Sequence, residues 1–236
     1  GKVALVDLET MTLVQVMQGF SYPHGSAFDP TGNFLYVVSQ QGNFIYKLDI
    51  SDLQNITFDM IPLHTGGIPS TNGLDKPYVV RFSPDFQKYF VPCQGTNEMR
   101  IFNAANDSLL NVVASSGVPQ LIEFSESTPY AFVTTMIDTT NSSTQSAVDI
   151  LNWQTNVWVK TVYPGFQERG LAVDDRNGVV YVGNRNVDPG GPAPHHTTSC
   201  VGRNGDVSLI DIATLEVIED WKAEVTVDPY SVTIRK

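Results

Sequence analysis

The chain has 236 residues, 42% of them hydrophobic and 17% charged, with a formal net charge of -11. That charge argues against a nucleic-acid or anionic-membrane surface, because either needs a clustered basic patch and the lysines and arginines here stand singly. No apolar run approaches the ~20 residues of a spanning helix, and two cysteines are too few for a disulfide framework. Period-2 alternation dominates, which predicts an all-β chain. Two strands are expected first, at 2–8 and 12–18. A phrase then begins at Pro23-His24-Gly25-Ser26-Ala27-Phe28-Asp29-Pro30 and continues through Phe34-Leu35-Tyr36-Val37-Val38 to Phe44-Ile45-Tyr46-Lys47-Leu48-Asp49. It returns from Pro77, Pro119, Glu168 and, cut short, Pro229.

A repeat of this length built from four short strands is the signature of a β-propeller. With strands a to d running from the inside outward, blade one is read as 23–30, 34–39, 43–50 and 55–63. Blade two is read as 78–83, 88–92, 98–103 and 108–114, and blade three as 120–125, 130–135, 147–152 and 157–163. Blade four is read as 169–174, 179–184, 206–211 and 215–222, followed by one more inner strand at 229–235. The two opening strands and this last one read as a closing blade shared by both termini, with its second strand missing. Either five blades close with a defective one, or an N-terminal extension of the native chain carries the missing strand and further blades. The second is favoured, because a missing second strand would leave the inner strand without its neighbour, and it makes 1–236 a single propeller domain lacking an N-terminal portion. Along the inner strands Phe28, Phe82, Phe124, Val173 and Ile234 share one position, and Ser26, Val80, Ile122, Leu171 and Val232 share another. Both rows are expected to pack between blades.

Pro23-His24-Gly25-Ser26-Ala27, Tyr36-Val37-Val38-Ser39, Tyr181-Val182-Gly183-Asn184 and Val207-Ser208-Leu209-Ile210-Asp211 resemble the repeat of the YVTN (YncE-like) bacterial propellers. The resemblance implies a seven-bladed ring and export to the periplasm or cell surface, secreted or held by a lipid anchor upstream. It implies little about activity, since that superfamily spans binding modules, scaffolds, lactonases and quinoprotein relatives. Two blades depart from the pattern, with Glu168-Arg169-Gly170 and Pro119-Gln120-Leu121 where Pro-His-Gly stands elsewhere. No family catalytic residue can be carried over.

The blade order puts the d–a and b–c connections on one face. The long insertions 64–76, 136–146 and 185–205 are all of that kind, and long loops on a rigid scaffold are where binding concentrates. His24, Tyr78, Gln120, Arg169 and Tyr230 occupy equivalent positions at the start of the inner strands. They are read as a ring at the mouth of the central channel and as the candidate ligand contacts. His64, on the 64–76 loop, and the 185–205 loop carry the remaining histidines on the same face.

His195, His196 and Cys200, with His24 beside them and Met136 as a further soft donor, form a candidate copper or zinc set. The competing reading is that the histidines only hydrogen-bond a proline-stiffened loop. A Cys93–Cys200 bridge is a further option in an exported chain. Arg81 and Glu123, equivalent in adjacent inner strands, are candidates for a buried ion pair. Asn55, Asn106 and Asn141 head glycosylation-type triplets that carry meaning only in a secreted eukaryotic protein.

The sequence therefore favours a non-enzymatic binding or scaffold module, taking a protein or small molecule on the long-loop face, alone or within a larger assembly. No cofactor is required by it. The alternatives are a copper or zinc protein using the 185–205 loop, and a lactonase-like hydrolase with Glu168 as the sole carboxylate near the mouth.

Overall fold

The computed structural model describes residues 1–138, 146–185, 204–225 and 229–235. A hairpin of β1 (Lys2–Asp7) and β2 (Thr12–Gln18) is followed by blade one, which consists of β3 (Pro23–Phe28), β4 (Phe34–Ser39), β5 (Phe44–Asp49) and β6 (Thr57–Pro62). Blade two holds β7 (Arg81–Phe82), β8 (Lys88–Cys93), β9 (Glu98–Asn103) and β10 (Leu109–Ala114). Blade three holds β11 (Gly117–Phe124), β12 (Tyr130–Asp138), β13 (Ala147–Asn152) and β14 (Val157–Val162). Blade four holds β15 (Leu171–Asp174), β16 (Val179–Asn184), β17 (Asp206–Asp211) and β18 (Glu216–Glu224). Each blade is an antiparallel four-stranded sheet whose strands follow chain order, β1 and β2 form a two-stranded sheet, and no helix occurs among the described residues. Successive four-stranded meanders stacked face to face make a β-propeller.

The apolar core lies between blades. Tyr36, Val38 and Ile45 of blade one pack with Val80, Tyr89 and Val91 of blade two. Phe90, Met99 and Ile101 meet Ile122, Val133 and Leu151, and Phe132, Val148 and Ile150 meet Leu171, Val180 and Val182. Strands b and c are covered on both faces, so they read as unbroken apolar runs such as Tyr36-Val37-Val38, while the outer strands are largely exposed. Each fully buried Val, Leu or Phe contributes about 1.5–3 kcal/mol.

Four expectations are corrected. The inner strand of blade two shrinks to two ladder residues: Pro77 still bridges Cys93, but Pro92 has no N–H to return to Tyr78, and the register has shifted by one residue where Arg81 meets Phe90. Residues 229–235 form no ladder, since the described residues provide no second strand for them to bond. Phe28 and Ser26 do not pack between blades: both are exposed, Phe28 by 56%. The preceding sheet brings only its two outer strands, whose Val3, Leu5 and Met17 cover Leu35, Val37 and Phe44 further out. The Arg81–Glu123 pair does form, at 3.6 Å, but it is an exposed inter-blade contact and not a buried one.

Candidate functional site

The connections on one face are tied to each other, as the blade order requires. In the 64–76 loop, Gly73 and Lys76 N–H donate to the carbonyls of Gln41 and Gly42, in the b–c turn of blade one, and Asn43 N–H donates to Ser70 O. At its far end the loop meets the b–c turn of blade two, where Gly95 N–H donates to Asp75 O. The inner strands begin beneath this layer.

Their first residues are held by the close approach of neighbouring strands. A methyl group at Gly25 would lie 2.6 Å from Val79 Cα, and one at Gly170 would lie 2.5 Å from Ser231 Cα. Only glycine lets these backbones touch. In blade one, Gly25 N–H also donates to Tyr78 O at 3.1 Å. The glycine of the Pro-His-Gly phrase thus sets the side chain before it at the mouth of the channel.

Four of the five ring residues come together. His24 Nδ1 lies 2.7 Å from Tyr78 O, and the two rings stack obliquely with centroids 4.3 Å apart. A carbonyl only accepts, so Nδ1 carries a proton and Nε2 is the nitrogen turned away from Tyr78. The Tyr78 hydroxyl lies 2.7 Å from that of Tyr230, and the Arg169 guanidinium lies 5.3 Å from the Tyr230 ring centre. Burial pushes the Tyr78 phenol above its usual range, the bond to Tyr230 reinforces the shift, and the Arg169 charge opposes it. Tyr230 is 48% exposed, whereas Tyr78 and Arg169 are buried. Gln120 is buried too, but its amide turns to Met136 Sδ at 3.2 Å.

The carboxylate of Glu168 is wholly buried and accepts from Gly165 N–H, which removes it from the open mouth where a hydrolase would need it. His195, His196 and Cys200 lie outside the described residues. Among the described residues no three His, Cys, Asp or Glu side chains converge as a metal set. Cys93 is fully buried, its thiol 3.6 Å from Val91 O, and burial pushes its pKa up.

One charged cluster was not legible in the sequence. Arg100, 2% exposed, donates from Nη1 to Leu63 O at 2.9 Å and from Nη2 to Asp75 at 2.7 Å and Glu98 at 2.9 Å. Asp75, equally buried, also bonds His64 Nε2 at 3.0 Å. The cluster joins both ends of the 64–76 loop to blade two. Beside His64 a cleft of about 280 Å³ is lined by Ile61, Pro62, Thr65, Gly66 and Ser108. The available signal was an arginine set between Met99 and Ile101 in an apolar strand.

Known structures share this architecture. The chain is similar to Kuenenia stuttgartiensis hydrazine synthase, with TM-score 0.73 and 18% identity over 96% of this chain and 60% of that one. A 6-phosphogluconolactonase-like protein of Bacteroides uniformis gives TM-score 0.69 and 11% identity over 95% and 65%. The dihydro-heme d1 dehydrogenase NirN gives TM-score 0.63 and 13% identity over 92% and 40%. The chain thus spans from two fifths to just under two thirds of these proteins. At such identities the likeness establishes the propeller fold alone. No family model and no curated protein matches the chain.

Proposed function

We propose that this propeller is an extracytoplasmic binding module of the YVTN-repeat type, with its ligand surface at the channel mouth around His24, Tyr78, Arg169 and Tyr230. One observation carries the reading. Four side chains from four inner-strand segments, separated by up to 206 residues in sequence (24 to 230), form one continuous line of contacts there. Gln120, whose amide turns to Met136, is outside this line of contacts. The rigid scaffold beneath and the loop layer above suit recognition, and among the described residues no nucleophile with an adjacent base stands at the mouth. His24→Ala, Arg169→Ala and Tyr230→Ala are expected to weaken ligand binding at least tenfold while leaving the β-sheet circular dichroism spectrum in place. Unaltered binding in all three removes the site.

A second reading draws support from His24. An imidazole that donates Nδ1–H to a backbone carbonyl and holds out Nε2 has the arrangement of a metal-bound histidine. In this reading His24 joins His195, His196 and Cys200 around copper or zinc. Elemental analysis of native protein never exposed to chelators tests it. Near-stoichiometric metal that is lost in a His195→Ala/His196→Ala variant supports a metal site, and a metal-free protein removes it.

A further inference from the structure

The rim of the mouth carries an exposed aromatic that the fold itself does not require. Tyr22, the residue before Pro23-His24, is 56% exposed and has a left-handed backbone, φ +41°. Its carbonyl accepts from Gln40 N–H, which fixes this corner to the b–c turn of blade one. Lys76 and Gln167, at the same corner before the inner strands of blades two and four, are left-handed too, at φ +50° and +49°. Three of the four blades thus enter their inner strands through a conformation that glycine adopts without strain. A bulky side chain that is strained at its backbone and still largely exposed is kept for what it meets outside the fold.

Resting on the channel-mouth reading, we propose that the ligand is a saccharide, stacked on the exposed rings of Tyr22 and Tyr230 and hydrogen-bonded by the phenols and His24. Arg169 is 6% exposed and lies against the Tyr230 ring, so the line of contacts offers a ligand mainly aromatic rings, hydroxyls and an imidazole. Tyr78 and Tyr230 can each donate or accept, and His24 Nε2 accepts in the neutral ring and donates in the charged one. A sugar hydroxyl is donor and acceptor at once, so it satisfies whichever arrangement of protons the mouth holds. A carboxylate or an ammonium group would suit only one arrangement. The C–H face of a pyranose ring fits the electron-rich face of an aromatic ring, and tyrosine supplies that area at a small cost in conformational entropy. A neutral sugar is also indifferent to the overall charge of -11.

The test is isothermal titration of the whole chain with glucose, galactose, N-acetylglucosamine, maltose, cellobiose and chitobiose, with sorbitol as a polyol that lacks a ring face. At least one sugar is expected to bind tenfold or more tightly than sorbitol. Tyr22→Gly should weaken that sugar at least tenfold without lowering the thermal midpoint, because it removes the ring and the backbone strain together. Tyr22→Trp should keep the binding, and Tyr230→Ala should weaken it as Tyr22→Gly does. Sorbitol binding as tightly as the sugars would overturn the stacked saccharide. A lowered midpoint in Tyr22→Gly with affinity intact would make Tyr22 structural and overturn its role. Sugar binding that survives both Tyr22→Gly and Tyr230→Ala would overturn the inference and the channel-mouth reading alike. Silence from all the sugars would overturn the saccharide alone, since the alanine variants test the mouth through its native ligand.

Discussion

The hydroxyl oxygens of Tyr78 and Tyr230 lie 2.7 Å apart across 152 residues of sequence, joining the inner segment of blade two to the segment that follows blade four. Tyr78 is buried and its partner half exposed, so Tyr78→Phe leaves an accessible phenol that water can satisfy. The expected cost is about 1 kcal/mol, the net worth of one hydrogen bond. Urea denaturation checks it; a loss above ~3 kcal/mol would show that Tyr78 does more than bond Tyr230.

Gly25→Ala should be far more damaging than its size suggests. The new methyl would stand 2.6 Å from Val79 Cα and 2.8 Å from Tyr78 O, both backbone atoms that cannot turn aside. Overpacking of this kind costs about 1–3 kcal/mol. Gly32→Ala is the control, because its position at φ +73° has open space and pays only backbone strain, roughly 1–2 kcal/mol. Thermal midpoints of the two variants rank the effects.

Arg100→Ala would leave the Asp75 carboxylate buried without its strongest partner. Removing one member of a buried pair costs about 3–5 kcal/mol. A double variant, Asp75→Asn with Arg100→Met, should recover much of the loss, because it removes both charges. Denaturation of the single and double variants gives the comparison, and equal stability of the two would place the cost in packing instead.

The described fold should weaken in alkali. Burial is the main cause that holds the Tyr36, Tyr78 and Tyr89 phenols above their ordinary value, with the Asp107 charge adding at Tyr36 and Tyr89. In the unfolded chain these phenols ionise near pH ~10, so above that the unfolded state binds fewer protons than the native one. Their contribution is complete below pH ~10 and is lost as the pH climbs toward the raised native values. Urea midpoints measured from pH ~8 to ~11 should fall over the upper part of the range, and Tyr89→Phe should flatten the fall.

Most of the architecture could be read from the chain because blade strands obey local rules: an apolar run, a turn residue, another run. The expected and observed strands agree to within a few residues in all four complete blades. What stayed hidden depends on partners distant in sequence. Pro92 stands opposite Tyr78, whose N–H donates to its carbonyl while Pro92 has no N–H to return, and only that pairing shows why the ladder fails there. Phe28 follows the same pattern as Phe82 and Phe124, yet it is exposed because the sheet next to it lacks inner strands. The equivalent starting positions of the inner strands were legible, but not that His24, Tyr78, Tyr230 and Arg169 would touch while Gln120 turned away. Arg100 and Asp75 meet only through the course of the 64–76 loop, which no periodicity describes.

The most direct test of the channel-mouth reading is nuclear magnetic resonance of protein labelled with ring-13C tyrosine during a screen of chemically diverse small molecules. The nine tyrosines report separate places on the molecule. Binding molecules are expected to shift the Tyr78 and Tyr230 signals together while leaving Tyr163 and Tyr181, on blades three and four, unmoved. Hits that move other tyrosines and leave the Tyr78–Tyr230 pair unchanged would contradict it.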